Sequence, residues 1–482
     1  MVISATSYRS KSFKQWQREL AAVWLQAPDL LGDEYPRFSE RVLLLLRSLQ
    51  RAEQRNASAA ARRADAELRE LIASYPAFEV ALDDSAAAPL DLEFFELTDT
   101  NFLSGHLTDS VYTSGLSRVD VGRWSPQRAA PEDKTVNRFL VVPVWYLTDR
   151  AATGRDSPGD KYGNRFDNRL ATGKAMISIP DRHSKGAFER PDKILWTFEL
   201  TEDPARHFTV REAEELDEKP WLDGIRHQLD GGSGEDTSRD VLLFVHGYST
   251  TWKNAVMRAA QLAHDIQFEG ATVAYTWSSR GTKGGYIADG AAVSATRQFL
   301  RHTLDLLIRD SGARRVHVIA HSMGNRALID ALRDVAQTPF PKASADLKNL
   351  VFAAPDVNAS EFKTFVDDYY KHLHLSFNRK SSTPSRLTLY ACGRDGALGI
   401  SKFANKIPRA GDTRDGILVS PPMDTIDVTA ALLPGADTHA YFVSNREILS
   451  DLFQVLRGQA PTDRPGLDSV TVGKAQYWKM RA

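Results

Sequence analysis

The spacing of hydrophobic positions changes along the chain, and the change divides it. Within residues 13–25 apolar side chains recur at helical spacing, and an Ala/Arg/Glu/Leu-rich stretch from about 38 to 74 keeps that period until Pro76 stops it. Residues 59–68 are so rich in alanine and charge that a well-solvated helix is expected there. From Asp83 to Trp124 the period fades, and residues 127–134 read as a linker. Residues 1–136 are therefore expected to form an N-terminal helical region. It would serve as a cap on the body that follows or as a docking module for a protein partner.

Beyond the linker the period becomes that of strands. Residues 139–147 form a strong strand candidate, although Pro143 calls for an edge position or a bulge. Residues 160–164 read as a polar loop, and 174–180 and 193–198 as two further strands, giving the sheet an antiparallel start. After the glycine-rich loop 231–236, strands and helices alternate. The strands fall at 241–245, 272–277, 316–320, 349–354 and 387–392, with a last candidate at 425–428, and helices are expected over 253–268 and 291–309. Repeated β-α units with fully apolar strands predict an α/β fold, a mostly parallel sheet with helices on both faces. This body spans 137–458, and 459–482 is left as a C-terminal tail.

The third of these strands leads into Ala320-His321-Ser322-Met323-Gly324-Asn325 and then a helix. A sharp strand-to-helix turn around a serine needs very small residues two before and two after it, so that the hydroxyl clears the sheet edge. Gly324 meets that need, and Ala320 departs from the usual glycine by one methyl. A serine hydroxyl is a poor nucleophile at neutral pH, so a base must take its proton and a third group must hold that base. In sheets with such an elbow these partners run serine, acid, histidine along the chain.

Three histidines follow Ser322: His372, His374 and His439. The first two precede the strand that carries the expected acid, so His439, after the last strand candidate, is the one that satisfies the order. Asp395, after the fifth strand of the alternating region, is the preferred acid, and Asp356, after the fourth, is the alternative. The losing aspartate would be a turn or cap residue. The oxyanion formed on attack needs preorganised donors, expected from the backbone N–H of Met323 and of Tyr248 in the loop His246-Gly247-Tyr248-Ser249. His246, Gly247, His321 and Trp277 are expected around the substrate, with bracing of the loop the favoured role for His246. Arg280, Lys283 and Tyr286 would border the pocket. Cys392, inside the end of an apolar strand, reads as a small buried hydrophobe.

Composition adds exclusions. The chain has 482 residues, 42% of them hydrophobic and 26% charged, and its 61 Lys+Arg against 62 Asp+Glu leave a formal charge of −1. Bulk charge therefore gives no reason to expect nucleic acid or an anionic membrane as obligatory partner. No segment is apolar for long enough to serve as a signal core or a membrane span, which makes a cytoplasmic location the default expectation. A single cysteine rules out an intramolecular disulfide and any cysteine-cluster metal site.

With these residues assembled, the chain resembles the α/β-hydrolase superfamily. More narrowly it resembles a bacterial family of esterase- or lipase-like members sharing Phe244-Val245-His246-Gly247-Tyr248, Trp277, Ala320-His321-Ser322-Met323-Gly324-Asn325, Ala354-Pro355-Asp356-Val357 and Asp395-x-Ala397-Leu398. Tyr162-Gly163-Asn164 and Ser178-Ile179-Pro180 resemble it as well. The similarity runs from about Phe139 to Leu452, and in its light Ala320 is typical. It implies the fold and the catalytic serine but no substrate. The function expected is a cofactor-independent hydrolase of a small-molecule or lipid carboxylic ester, working through an acyl-enzyme on Ser322. The alternative is a scaffold or regulatory protein that recruits a partner through its N-terminal helical region.

Overall fold

The computed structural model describes scattered positions between 11 and 57, then 58–76, 78–79, 139–190, 193–195, 198–199, 202–232, 237–280, 286–337, 344–374, 385–395, 398, 407–432, 441–473 and 475–481. They divide into two compact units, one from Met1–His106 with Arg190–Glu202, the other from Leu107–Glu189 with Asp203–Ala482.

In the first unit the helix Ser58–Ala73 turns one side inward, burying Ala64, Asp65, Leu68, Leu71 and Ile72, while its first turns stay exposed. Leu68 and Leu71 pack with Trp16, Leu20, Phe38, Val42, Leu46 and Phe78 in a small apolar core. The solvated helix expected over 59–68 is thus solvated on one side only. Asp65, buried by that packing, accepts a hydrogen bond from Trp16 Nε1 at 2.6 Å, as a buried carboxylate requires. Lys193–Leu195 and Phe198–Glu199 pair here as a separate two-stranded ribbon.

The second unit is built on an 11-stranded mixed sheet. In chain order its strands are β1 (Phe139–Ala152), β2 (Tyr162–Pro180), β3 (Thr209–Leu216), β4 (Asp240–Val245), β5 (Ala271–Thr276), β6 (Arg315–His321), β7 (Asp346–Ala353), β8 (Arg386–Ala391), β9 (Asp424–Asp427), β10 (Leu467–Val472) and β11 (Ala475–Met480). Across the sheet they lie β10-β11-β9-β8-β7-β6-β4-β5-β1-β2-β3. Neighbours from β1 across to β11 are parallel, while β1-β2, β2-β3 and β10-β11 are antiparallel.

The apolar strands alternate between two cores because both faces are covered. Val241, Leu243 and Val245 of β4 enter one core, whereas Leu242 and Phe244 enter the other. One is closed by helices including α1 (Glu218–Asp230), α4 (Arg297–Arg309) and α5 (Gly324–Gln337); the other by helices including α2 (Trp252–Asp265) and α7 (Arg446–Leu456). α3 (Tyr286–Ala295) precedes α4, and α6 (Ala359–Asp368) follows β7. Each fully buried Leu or Val contributes roughly 1.5–3 kcal/mol, so this doubly covered sheet carries most of the folding drive.

Four sequence expectations change. The third antiparallel strand is Thr209–Leu216, not 193–198: its TVREAEEL buries Thr209 and Val210 but exposes Arg211, Glu212, Glu214 and Glu215, and such charges suit an edge strand. The polar stretch 162–164 opens β2 instead of forming a loop, because a long antiparallel pair with β1 continues through it. Pro143 lies within β1 where that strand is paired only with β2, since β5 joins only at Trp145–Thr148, so its missing N–H breaks no central ladder. Residues expected as a tail supply β10 and β11, whose Leu467 and Met480 join the core.

Candidate active site

Eight strands with a common direction bring their carboxyl ends to one rim, where functional residues of such sheets collect. Ser322 sits between β6 and α5 with φ of 50°, a left-handed conformation that a non-glycine residue adopts only when its surroundings enforce it. Here they do. Ser322 N–H donates to the Ala353 carbonyl at 3.0 Å, and Ser322 O accepts from Asp356 N at 3.2 Å and Asn325 Nδ2 at 3.0 Å. A Cβ on Gly324 would lie 2.4 Å from the His246 carbonyl oxygen, so only glycine fits there. Ala320 is fully buried beneath the turn. The amino terminus of α5, with its positive dipole end, opens two residues past the serine.

The loop after β4 lies against this elbow. A Cβ on Gly247 would come 2.8 Å from Ser322 Cβ and 2.7 Å from His321 Nδ1, so the chain leading into Tyr248 runs alongside the candidate nucleophile. His321 is half-buried and stacks on Phe442, centroids 4.5 Å apart. Met323 is buried in the core below.

His246 and Trp277 are both buried, stacked at 5.1 Å with planes 11° apart, and Trp277 Nε1 donates to the His246 carbonyl at 2.8 Å. Burial foremost, then the Arg150 charge, holds the His246 imidazole down at about 3, so it is neutral across the physiological range. Its Nδ1 lies 2.7 Å from the Gly247 carbonyl and its Nε2 3.5 Å from Arg150 Nη2.

Two polar residues at this rim carry no local sequence signal. Arg150, fully buried at the end of β1, donates to the carbonyls of Gly163, Ser279 and Thr250 at 3.1, 3.0 and 2.7 Å, and to Asn164 Oδ1 at 3.4 Å. Burial lowers it to about 10, against Asp149 and Asp289, so it stays charged at neutral pH. Burial raises its neighbour Asp149 to about 6. Asp289, in α3, accepts from Ser249 N, Ser279 Oγ and Arg280 N at 3.0, 2.6 and 2.7 Å. A β-strand terminus and a helix thus grip the 246–250 loop together. Of the residues expected to border the pocket, Arg280 is exposed; Lys283 and the Tyr286 side chain lie outside the described residues.

The two candidate acids stand in different surroundings. Asp356 is held by Arg326, whose Nη2 donates to Oδ2 at 2.8 Å and whose Nε donates to the Asp356 carbonyl at 2.7 Å, with Arg409 Nε 3.3 Å from Oδ1. Asp395, buried in the turn after β8, accepts from Leu398 N–H at 3.0 Å. Tyr441, fully buried, donates its hydroxyl to the Tyr390 carbonyl at 3.2 Å. Burial first, then the Asp395 charge, pushes that hydroxyl well above its ordinary value. His439 lies outside the described residues. Cys392 is buried, and burial raises its thiol to about 11, which suits a hydrophobe. Among the described residues no group of three His, Cys, Asp or Glu could hold a metal ion, and no helix is long and apolar enough to cross a membrane.

Two solved structures share low similarity: esterase B from Lactobacillus rhamnosis, inhibited (11% identity, 47% of this chain and 79% of that one, TM-score 0.26), and a "putative hydrolase" from Agrobacterium vitis S4 (10% identity, 61% and 95%, TM-score 0.26). Among curated proteins no sequence match is found. The chain has the α/β-hydrolase fold, and its residues 226–454 match the family described as alpha/beta hydrolase of unknown function, DUF900.

Proposed function

We propose that the protein is a cofactor-independent serine hydrolase of carboxylic esters, taking a small-molecule or lipid ester. The observation that carries this reading is the strained Ser322 turn with the Gly247–Tyr248 backbone pressed against it. That arrangement supports a reading in which a nucleophile and a loop amide act side by side, as acyl transfer requires. Ser322 Oγ attacks the acyl carbon while His439 takes its proton. The resulting oxyanion is met by the N–H groups of Met323 and Tyr248. The alkoxide leaves with the proton from His439, and water, deprotonated by the same imidazole, releases the acid.

The flanks of His439 support its role. Phe442, three residues on, stacks against His321 beside the nucleophile, and Tyr441, two residues on, feels the Asp395 charge. Asp395 is preferred as the orienting acid because Asp356 is engaged by Arg326 and Arg409. Turnover of aryl esters of graded acyl length by the wild type and by Ser322→Ala tests the proposal. Serine-dependent hydrolysis with a chain-length optimum is expected, with loss on the order of 10⁴ in the variant. Equal activity in the two proteins, or none in either, would turn the balance to a scaffold that recruits a partner.

A further inference from the structure

We propose that Arg150 and His246 form a buried relay whose task is to aim the Tyr248 N–H at the oxyanion, which makes both of them positioning residues. The inference rests on the reading of Ser322 as nucleophile. It begins with the peptide group between Gly247 and Tyr248. The described residues contain one cis peptide, Pro421-Pro422, so this group is trans, and its C=O and N–H point in opposite directions. Whatever fixes the Gly247 carbonyl therefore fixes the direction of the Tyr248 amide.

The Gly247 carbonyl can only accept, so His246 Nδ1, 2.7 Å away, must carry a proton. Arg150 can only donate, and its Nη2 stands 3.5 Å from Nε2, so that nitrogen is left as the acceptor. Burial first, and then the guanidinium beside it, oppose a second proton and outweigh the backbone hydrogen bonding at Gly247 and Trp277 that favours one. The result is one neutral tautomer, locked against Trp277 by stacking. Drawing on the carbonyl also polarises the peptide, which strengthens its N–H as a donor.

The next peptide group is held independently. Tyr248 O accepts from Thr250 Oγ1 at 3.1 Å while Ser249 N–H is taken by Asp289, which keeps Ser249 at a φ of 54°. Thr250 is in turn bound through its N–H to Ser279 Oγ at 3.1 Å and through its carbonyl to Arg150 at 2.7 Å. A peptide flip at 247–248 must therefore break the His246 bond without help from its neighbour.

Selective ¹⁵N labelling of histidine, with His246 assigned by substitution, reads the tautomer directly. A protonated Nδ1 and bare Nε2 are expected, unchanged from pH 5 to 8; a protonated Nε2 or an imidazolium overturns the relay whatever the activity. Kinetics supply the second reading. His246→Phe keeps a stacked ring but no donor, and kcat for an aryl ester should fall about 10²–10³-fold with KM changed less than about threefold. His246→Asn, which can present an amide N–H where Nδ1 stood, should recover at least about tenfold of that loss. Equal losses in the two variants, or an effect confined to KM, would overturn the proposal. If the phenylalanine variant does not fold, the asparagine variant and the tautomer still decide. A wild type without Ser322-dependent turnover sinks the nucleophile reading alone, since the tautomer is measured without substrate.

Discussion

At the scale of residues, the two candidate acids, both buried aspartates, separate structure from chemistry. Asp395→Asn keeps an acceptor for Leu398 N–H but removes the charge that would orient His439, so kcat should fall by about 10⁴ with the melting temperature nearly unchanged. Asp356→Ala strands Arg409, itself nearly buried, and takes from Arg326 its ion pair while leaving its bond to the backbone carbonyl; urea denaturation should show a loss of about 3 kcal/mol. The reverse pattern of effects would exchange the two roles. Which of these residues the sequence reveals depends on how local their cause is. Ser322 and Gly324 are marked by a turn that demands small neighbours, and Gly247 by the approach it permits. Arg150 and Asp289 grip the same loop from 100 and 40 residues away in sequence, through contacts that only the assembled sheet creates. No periodicity or motif could mark them.

At the scale of elements, the elbow tolerates change on one side only. Gly324→Ala would drive a Cβ into the His246 carbonyl and should cost about 3 kcal/mol along with activity, whereas Ala320→Gly should stay within about 1 kcal/mol. Differential scanning calorimetry distinguishes the two. A second element-level device pins the segment after β2 onto α2: His183 bridges Glu189 and Asp265, each at 2.8 Å. Burial disfavours its charge, but the hydrogen bonds and charges of Asp265 and Glu189 outweigh it and raise His183 to about 9. A folded value above the ordinary 6.5 contributes stability that is complete below about 6.5 and fades as pH rises through 9. The stability difference between wild type and His183→Gln should therefore shrink over that window; a difference independent of pH would contradict the charged clamp. Strands of this unit were legible where both faces are apolar, as in Val241-Leu242-Leu243-Phe244-Val245, since only a covered parallel sheet accepts such a run. Thr209–Leu216 was not, because the exposed pairs Arg211-Glu212 and Glu214-Glu215 of this edge strand break the alternation of apolar and polar positions.

At the scale of the whole molecule, the sheet is finished by residues that read as a tail. Arg464, fully buried, pairs with Asp451 of α7 at 3.0 Å, and β11 covers the edge of β9. Deleting 459–482 should leave the Asp451 carboxylate with the Tyr390 hydroxyl but without its cation, and β9 open, and the product should be insoluble or melt well below the full chain. A truncated protein as stable as the parent would contradict that account. The α/β architecture itself was visible in the regular return of apolar strands, because a parallel sheet needs a crossover between each pair. The central claim remains that Ser322 is the nucleophile of an acyl-transfer site, and it is tested most directly by mapping the adduct of a fluorophosphonate probe by mass spectrometry on the full chain. One equivalent on the peptide carrying Ser322, absent in Ser322→Ala, is predicted. A folded protein that takes up no probe, or takes it up elsewhere, would contradict the account.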